Sequence, residues 1–249
     1  MMKTGVQLYT LRNFCKTKED LSETLKKIAD IGYKTVQVSG TCEYDAKWLA
    51  DELKKNDLQC VLTHISKDKL LEMPDQVVDD HQILGCKYIG LGSFPLDEPE
   101  KNIKEFLSLF TPIADVIKQH GKYFMYHNHF KEFQKYDGKT VMQHLAEGFP
   151  ADKMGFILDT YWVQFAGADP ADWLERLSSR VPCIHLKDQT FDQKMAVIGE
   201  GNINFDRIFK SAEKAGTEYM LVEQDDCYGE DPFDCLKRSY EFLKSRGFE

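Results

Sequence analysis

Short apolar runs alternate with longer amphipathic segments along the whole chain, and this alternation limits the possible folds more than any other feature. The apolar runs predict eight strands, at residues 6–9, 35–38, 59–63, 88–91, 123–126, 156–158, 183–186 and 219–222. Each run is followed by a segment whose apolar residues recur at helical spacing, as Leu21, Leu25 and Ile28 do in the first segment. Gly32 is expected to end that first helix.

Strands that alternate with helices pair in parallel through right-handed crossovers. Eight such units in 249 residues match the usual size of one barrel of this kind, about 250 residues. The sequence therefore predicts an α/β protein with a single (β/α)8 TIM barrel rather than an open doubly wound sheet. No GxGxxG motif follows the first strand to indicate a dinucleotide site. No linker rich in Ser, Gly or Pro interrupts the pattern, so residues 1–249 are predicted to form one catalytic domain.

Charge and cysteine content argue against several classes of protein. The 32 Lys and Arg residues and 41 Asp and Glu residues give a net charge of -9, which argues against a nucleic-acid partner. Seven irregularly spaced cysteines without a CxxC pair favour free thiols in a reducing compartment. No apolar run approaches the roughly 18 residues of a membrane span, and the first eight residues lack a signal-peptide core. We therefore expect a cytoplasmic protein with no membrane partner; a homo-oligomer stays open.

Four potential metal ligands follow successive predicted strands in the second half of the chain. They are His127, Asp159, His185 and Glu223. The carboxyl ends of the strands of such a barrel form one face, where the active site lies. Imidazole and carboxylate groups together suit a divalent ion such as Mn, Co, Mg, Fe or Zn. Each residue alone has a simpler interpretation: an Asp before a Thr often caps a helix, and a His between Ile and Leu often only packs in the barrel.

Other side chains near the same strand ends are candidates for catalysis. Glu132 and His129 lie just beyond the fifth strand, where either could orient a metal-bound imidazole or act as a general acid or base. Lys187 could supply positive charge to an enediolate oxygen, or form a surface ion pair with Asp188. The glycines of the GEG run at residues 199–201 could bring backbone amides to a ligand, or only make a turn.

Substrate contacts are expected from polar and aromatic residues at the strand ends. The candidates are His64, Asn128, His129, Trp162 and Gln7. Aromatic residues are more often part of a core than of a pocket wall. Trp162 is singled out because it follows a proposed ligand by three positions.

Several short motifs together resemble a known family. They are VQLYTLR at residues 6–12, IGY at 31–33, YHNH at 126–129, LDT at 158–160, HLKD at 185–188, GEG at 199–201 and VEQD at 222–225. With these motifs the chain resembles the xylose-isomerase-like barrel superfamily, in the branch of sugar-phosphate isomerases/epimerases and inosose dehydratases. The resemblance spans nearly the whole chain, and the YHNH and HLKD runs are its most specific part.

The resemblance implies a metal-dependent enzyme that acts on a small sugar or polyol. In that family Glu, Asp, His and Glu at the ends of strands five to eight hold a divalent ion; the last three correspond to Asp159, His185 and Glu223. His127 stands in the place of the first Glu, as in the dehydratase-like branch. Trp162 stands near the place where the epimerases tend to carry a His.

These departures bear on the expected reaction. The ketose epimerases use two metal-bound glutamates to exchange a proton from opposite faces, whereas here Glu223 alone remains and Glu132 or His129 would be the second base. We therefore predict a metal-dependent isomerase or epimerase that acts on a sugar or keto-sugar through an enediolate, with catalytic Glu223, Glu132 and Lys187. The alternative is an inosose dehydratase-like lyase that eliminates water from a keto-polyol.

Two further functions carry less weight. A sugar-binding barrel without catalysis would bind metal and turn over no keto-sugar. Phosphodiester hydrolysis, as in the endonuclease IV relatives of the superfamily, would need more metal ligands and a DNA-binding face, which the net charge of -9 disfavours.

Overall fold

The structure is a computed structural model that describes residues 2–248. Eight parallel strands form a closed barrel: β1 Lys3–Gln7, β2 Thr35–Val38, β3 Gln59–Ile65, β4 Tyr88–Leu91, β5 Tyr123–His127, β6 Met154–Asp159, β7 Cys183–Leu186 and β8 Tyr219–Val222. Each strand pairs with its neighbours in the chain, and β1 closes the barrel against β8 with Val6 opposite Val222. The prediction of a (β/α)8 TIM barrel is confirmed.

Helices surround the barrel and connect its strands. The described α-helices are α1 Lys18–Ile31, α2 Ala46–Lys55, α3 Lys67–Glu72, α4 Pro74–Ile83, α5 Pro99–Gln119, α6 Val141–Gly148, α7 Thr160–Phe165, α8 Pro170–Arg176, α9 Phe205–Ala215 and α10 Pro232–Ser245. In α1, Leu21, Leu25 and Ile28 are buried, as their spacing predicts. Gly32 ends α1 with a φ of 124°, and its N–H donates to the carbonyls of Ile28 and Ala29. Its predicted role as the terminating residue is confirmed.

The first strand was predicted too far along the chain. It runs from Lys3 to Gln7, and residues Leu8–Phe14 form a 3₁₀ helix instead of continuing it. The cause lies in Gln7, whose side-chain Oε1 accepts a hydrogen bond from the Tyr9 N–H at 3.2 Å and so caps the 3₁₀ helix. An apolar run by itself does not distinguish a strand from such a short helix.

Several short elements at the strand–helix connections were not predicted. They are α3, α7, a 3₁₀ turn at Lys131–Phe133, and two small hairpins, Lys135–Tyr136 with Lys139–Thr140 and Asp188–Gln189 with Met195–Ala196. Each is too short to show a period of apolar residues. The two short helices depend on local side-chain caps: Ser66 accepts from the Lys69 N–H in α3, and Asp159 accepts from the Trp162 N–H at 3.0 Å in α7.

The inside of the barrel consists of an apolar layer below a polar one. Six strands contribute to the apolar cluster, β4 through Tyr88 and the other five through Leu62, Met125, Ile157, Cys183 and Leu221. The polar layer is built on those five strands. Because side chains alternate between the two faces of a strand, the residue two positions later on each strand points to the same interior. Those residues are His64, His127, Asp159, His185 and Glu223. The backbone alternation therefore places the polar groups on a packed base at the carboxyl end of the barrel.

No helix between residues 2 and 248 is both long enough and apolar enough to cross a membrane. All seven cysteines are free thiols.

Candidate metal centre

The four predicted ligands lie together at the carboxyl end of the barrel. His127, Asp159, His185 and Glu223 each contribute one atom to a group in which all atoms lie within 4.8 Å of one another. His127 Nε2 is 3.3 Å from Asp159 Oδ2, and His185 Nδ1 is 2.9 Å from Glu223 Oε2. All four residues are buried. A single cation could therefore reach all four with small side-chain adjustments, since metal–ligand bonds to N and O are about 2.0–2.2 Å.

The second nitrogen of each imidazole is oriented by a fixed acceptor. His127 Nδ1 lies 3.0 Å from the carbonyl oxygen of Gly92, and His185 Nε2 lies 2.6 Å from Oε1 of Gln37. Because a carbonyl oxygen can only accept, the proton of each neutral ring is held on that nitrogen. The lone pairs of His127 Nε2 and His185 Nδ1 are thus directed into the cluster.

Unpartnered polar atoms and charge both indicate that the cluster fits a divalent cation. His185 Nδ1 and Glu223 Oε2 are buried and lie 2.9 Å apart, but neither forms a hydrogen bond of normal geometry with any described residue. The carboxylates of Asp159, Glu223 and Asp225 surround one ammonium group, that of Lys187. When both imidazoles are neutral, as metal binding requires, two negative charges therefore lack a counter-charge. Two imidazole nitrogens and two carboxylate oxygens are a donor set typical of Mn, Fe, Co or Zn.

Lys187 is the cation at the centre of the site. Its side chain is 1% exposed, and Nζ lies 2.7 Å from Asp225 Oδ2, 3.4 Å from Glu223 Oε2 and 3.5 Å from Asp159 Oδ2. Burial lowers the pKa of Lys187, but the three carboxylates raise it by more than burial lowers it. The ammonium group therefore stays charged. The alternative of a surface ion pair between Lys187 and Asp188 is wrong, because Asp188 is engaged by backbone amides.

The carboxyl groups and the imidazoles around the cavity differ in their protonation states. Burial raises the pKa of Glu223, but Lys187 and His185 lower it well below its usual range, so Glu223 is a carboxylate. Burial and the charge of Glu223 raise the pKa of Asp225 to about 6. Burial lowers the pKa of His129 to about 3 and that of His64 well below its usual range. Near neutral pH, Glu223 is therefore ionised and Asp225 titrates. The imidazoles of His64 and His129 are neutral.

A cavity of about 610 Å³ opens above the cluster. Its volume lies within the range of about 300–1,000 Å³ of small-molecule sites. Its lining includes the ionisable side chains of His64, Lys67, His127, His129, Lys187, Glu223 and Asp225. Ser39, Ser66 and Ser93 add hydroxyl groups to the same lining. Charged, metal-ligating and hydroxyl groups therefore border one cavity, an arrangement suited to a polyhydroxylated molecule.

The predicted substrate residues occupy different places. His64 and His129 line the cavity, whereas Gln7, Asn128 and Trp162 are not among its lining residues. Asn128 Oδ1 accepts from the Asp159 N–H at 3.1 Å, which fixes the end of β6. The Trp162 ring lies beside His129 and has Lys187 Nζ at 5.6 Å from a ring centroid. A substrate contact stays a prediction for all five residues.

Glu132 is buried within the loop that follows β5. Its Oε1 accepts from the Tyr126 hydroxyl at 2.6 Å, and its Oε2 accepts from the His129 N–H at 2.9 Å. Both carboxylate oxygens are therefore occupied, and Glu132 is not among the residues that line the cavity. These contacts give Glu132 a role in positioning His129.

The glycines of residues 199–201 bring backbone amides to a carboxylate of the same chain. Asp188 Oδ2 accepts from the N–H groups of Gly199 and Gly201, both at 2.9 Å, and Oδ1 accepts from those of Gln189 at 2.7 Å and Ile203 at 3.1 Å. A Cβ atom on Gly201 would lie 2.4 Å from Asp188 Oδ1, so the close approach needs glycine. Of the two interpretations of this run, the structure supports the turn, with Asp188 as its anchor.

Gln37 and the pairing of Lys187 with Asp225 are features of the site that the sequence did not predict. Gln37 is a polar residue within the short buried strand β2, which was the one available signal of an interior role. Asp225 was noted only as a neighbour of Glu223. Neither contact could be found from spacing, because spacing does not show which side chains touch across the barrel.

A larger cavity, of about 1080 Å³, lies at the opposite end of the barrel. Lys3, Thr35 and Gln59 line it near the beginnings of β1, β2 and β3. None of the four grouped ligands borders it. In barrels of this kind the amino-terminal face serves stability rather than catalysis.

Comparison with known proteins gives the family. A family model described as a xylose isomerase-like TIM barrel matches residues 25–246. The chain belongs to this family. The resemblance inferred from the sequence motifs is thereby confirmed.

Individual relatives differ in the reaction that they are named for. The chain is 25% identical, over an alignment of 296 positions, to an inosose dehydratase of Mesomycoplasma hyopneumoniae strain 7448. The alignment covers 98% of this chain and 96% of that protein. A sugar phosphate isomerase/epimerase from Parabacteroides distasonis has a similar structure, with a TM-score of 0.85 and 24% identity over 98% of this chain and 94% of that one. The IOLI protein with a binding zinc atom gives a TM-score of 0.75 and 13% identity, over 98% and 97% of the two chains. The names of the first two proteins describe enzymes of two reaction types, a dehydratase and an isomerase/epimerase.

Metal binding is expected to depend on pH through His185. Burial lowers the pKa of His185, but Glu223 and Asp159 outweigh it and raise the pKa to about 9 without metal. Below that pH an ion must displace the proton on Nδ1. Apparent Zn²⁺ affinity should therefore rise about tenfold per pH unit between about pH 6 and 8, with one proton released per ion. Calorimetry in two buffers of different ionisation enthalpy measures both; an affinity independent of pH would show that His185 does not lose a proton on binding.

Loss of the Asp188 carboxylate should destabilise the fold. In Asp188→Ala four backbone N–H groups lose their acceptor, and buried donors left unpaired cost about 1–3 kcal/mol each. We expect the free energy of unfolding to fall by at least about 2 kcal/mol in urea denaturation. Glu200→Ala, in the same loop but on the exposed side, is the control and should change it by less than about 0.5 kcal/mol. Equal stability of the two variants would contradict the anchoring role.

Proposed function

We propose that the protein is a metal-dependent enzyme that removes a proton from the carbon next to the carbonyl of a keto-sugar or keto-polyol. The observation that carries the proposal is a buried group with a cation among its carboxylates, at the base of a cavity whose lining includes serine hydroxyls. The group consists of His127, Asp159, His185 and Glu223, and the cation is Lys187. Such a group joins a cation site, a base and a positive charge within one small volume. Membership of the xylose isomerase-like family supports the same class of chemistry.

The four grouped residues would hold one divalent ion. Such an ion polarises a carbonyl and an adjacent hydroxyl, and so lowers the pKa of the C–H bond beside them. The unpartnered His185 Nδ1 and Glu223 Oε2 support this assignment. The zinc atom named for the structurally similar IOLI protein supports it as well.

Glu223 is the proposed base. Its close contacts with His185 and Lys187 both use Oε2, which leaves Oε1 outside those contacts. Glu223 borders the cavity, and its lowered pKa keeps it ionised, which is the protonation state that a base needs. Lys187 Nζ, 3.4 Å from Glu223, would stabilise the negative oxygen that forms as the proton leaves.

Elimination of water is the second candidate, and Asp225 favours it. In that reaction the C–H proton passes to Glu223 while the neighbouring C–O bond breaks, and the departing hydroxyl needs a proton to leave as water. Asp225 borders the cavity and has a pKa raised to about 6, so it can carry that proton close to neutral pH. The inosose dehydratase relative, similar over 98% of this chain, supports the same outcome.

Epimerisation requires a second base on the opposite face of the substrate. Glu132 has both oxygens occupied, and His127 replaces a carboxylate at the metal site. We therefore propose that isomerisation or dehydration is faster than epimerisation at C3.

Incubation with ketohexoses and keto-inositols in D₂O, followed by NMR, tests this proposal. We expect deuterium at the carbon next to the carbonyl, together with a dehydrated or isomerised product. Glu223→Gln should slow deuterium incorporation about 10²–10⁴-fold, the usual contribution of a general base. The matched variant Glu132→Gln should slow it less than about tenfold, because its role is to position His129.

Three results would overturn parts of the proposal. Metal binding without deuterium incorporation in any substrate would indicate a binding protein rather than an enzyme. Rapid C3 epimerisation without elimination would show that His127 does not redirect the reaction. A larger loss in Glu132→Gln than in Glu223→Gln would transfer the role of base to Glu132.

A further inference from the structure

Gln37 reaches across the interior of the barrel to a proposed metal ligand. It lies on β2, whereas His185 lies on β7, and β1 and β8 separate these two strands in the closed sheet. The distance from Gln37 Oε1 to His185 Nε2 is 2.6 Å, and both side chains are fully buried. The contact is therefore a specific long-range pair and not a consequence of strand pairing.

The Gln37 amide has one clear polar partner. Its Nε2 is buried with no hydrogen-bond partner among the described residues, so His185 is the contact that orients the amide. A neutral imidazole carries one proton and one lone pair, and an acceptor at Nε2 places the proton there. The lone pair is then on Nδ1, the nitrogen that lies 2.9 Å from Glu223 Oε2.

We propose that Gln37 is a positioning residue that fixes the tautomer and ring orientation of His185 for metal binding through Nδ1. This inference rests on the metal site of the proposed function. Because His185 is buried, no water molecule could replace the Gln37 oxygen as the acceptor at Nε2 if Gln37 were substituted. Without Gln37, His185 would retain the proton on either nitrogen and would lose a buried hydrogen bond whenever it bound the ion.

Neighbouring Gln7 offers a matched control. Gln7 on β1 is the register partner of Gln37 and is equally buried. Its Oε1 accepts from the Tyr9 N–H, outside the cluster. Substitution of Gln7 therefore disturbs the same layer of the barrel without removing the acceptor of His185.

The experiment measures Zn²⁺ affinity by competition with a chromophoric chelator. Gln37→Leu and Gln37→Met remove the acceptor at similar volume and should weaken binding about 10–100-fold, as loss of such ligand-orienting contacts does. Gln37→Glu keeps an acceptor oxygen and should bind Zn²⁺ at least as tightly as the wild type. Gln7→Leu should change the affinity less than about threefold, well below the effect of losing an orienting contact.

If Gln37 only stabilised the fold, the Gln37 variants would rank in the opposite order. Burying the charge of Gln37→Glu would then harm the protein at least as much as Gln37→Leu. As a second readout, ¹⁵N-histidine NMR of the Zn²⁺-loaded wild type should show His185 protonated at Nε2, and the signal of that proton should be lost or weakened in Gln37→Met.

Each outcome has a defined meaning. Folded Gln37→Leu or Gln37→Met with wild-type Zn²⁺ affinity would overturn the inference, as would Gln37→Glu binding more than about tenfold more weakly than wild type. If neither apolar variant folds, Gln37→Glu decides alone by the same criterion. A wild-type protein that binds no Zn²⁺ would instead overturn the metal site of the proposed function.

Discussion

The alternation of side chains along the strands of a closed barrel is the constraint on which the site depends. Every second residue of a strand points to the interior, and eight strands bring those residues to common levels. Apolar side chains fill one level, and the next level up, at the carboxyl ends, contains His64, His127, Asp159, His185 and Glu223. A shift of one residue in any of these strands would turn its polar group into the surrounding helices. The packed apolar level therefore provides both fold stability and the geometry of the polar group.

Charge balance is the second constraint, and it links the cluster to its proposed chemistry. Burying carboxylates is unfavourable unless positive charge lies close to them. Lys187 supplies one such charge and contacts Asp159, Glu223 and Asp225. A divalent ion would supply the remainder and would replace the proton that His185 holds in its absence. The same arrangement leaves Glu223 ionised and Asp225 titrating near neutral pH, which are the states that a base and an acid need.

The sequence predicted the architecture well because the relevant signals are local. Four strand ranges, 35–38, 88–91, 183–186 and 219–222, agree with β2, β4, β7 and β8. The grouping of His127, Asp159, His185 and Glu223 followed from topology alone, since parallel strands of a barrel end at one face. The 3₁₀ helix that begins after Gln7 was not predicted, because it depends on a single side-chain cap.

Contacts between individual side chains on different strands could not be predicted in the same way. Gln37 and His185 are 148 positions apart, and Lys187 and Asp225 are 38 apart. Asp188 seemed available to Lys187 as a sequence neighbour, but adjacent strand residues point to opposite faces, and Asp188 instead binds the amides of the loop around residues 199–203. Pattern identifies which residues share a face; three-dimensional structure is needed to show which of them touch.

The central claim is that one divalent ion binds between the ends of β5, β6, β7 and β8. Anomalous diffraction from crystals of the protein grown with Mn²⁺ or Zn²⁺ tests it most directly. The account predicts one strong peak at direct bonding distance, about 2.0–2.2 Å, from His127 Nε2, His185 Nδ1 and a carboxylate oxygen each of Asp159 and Glu223. A peak elsewhere, coordination through His185 Nε2, or no peak at this position in crystals that contain the metal would contradict it.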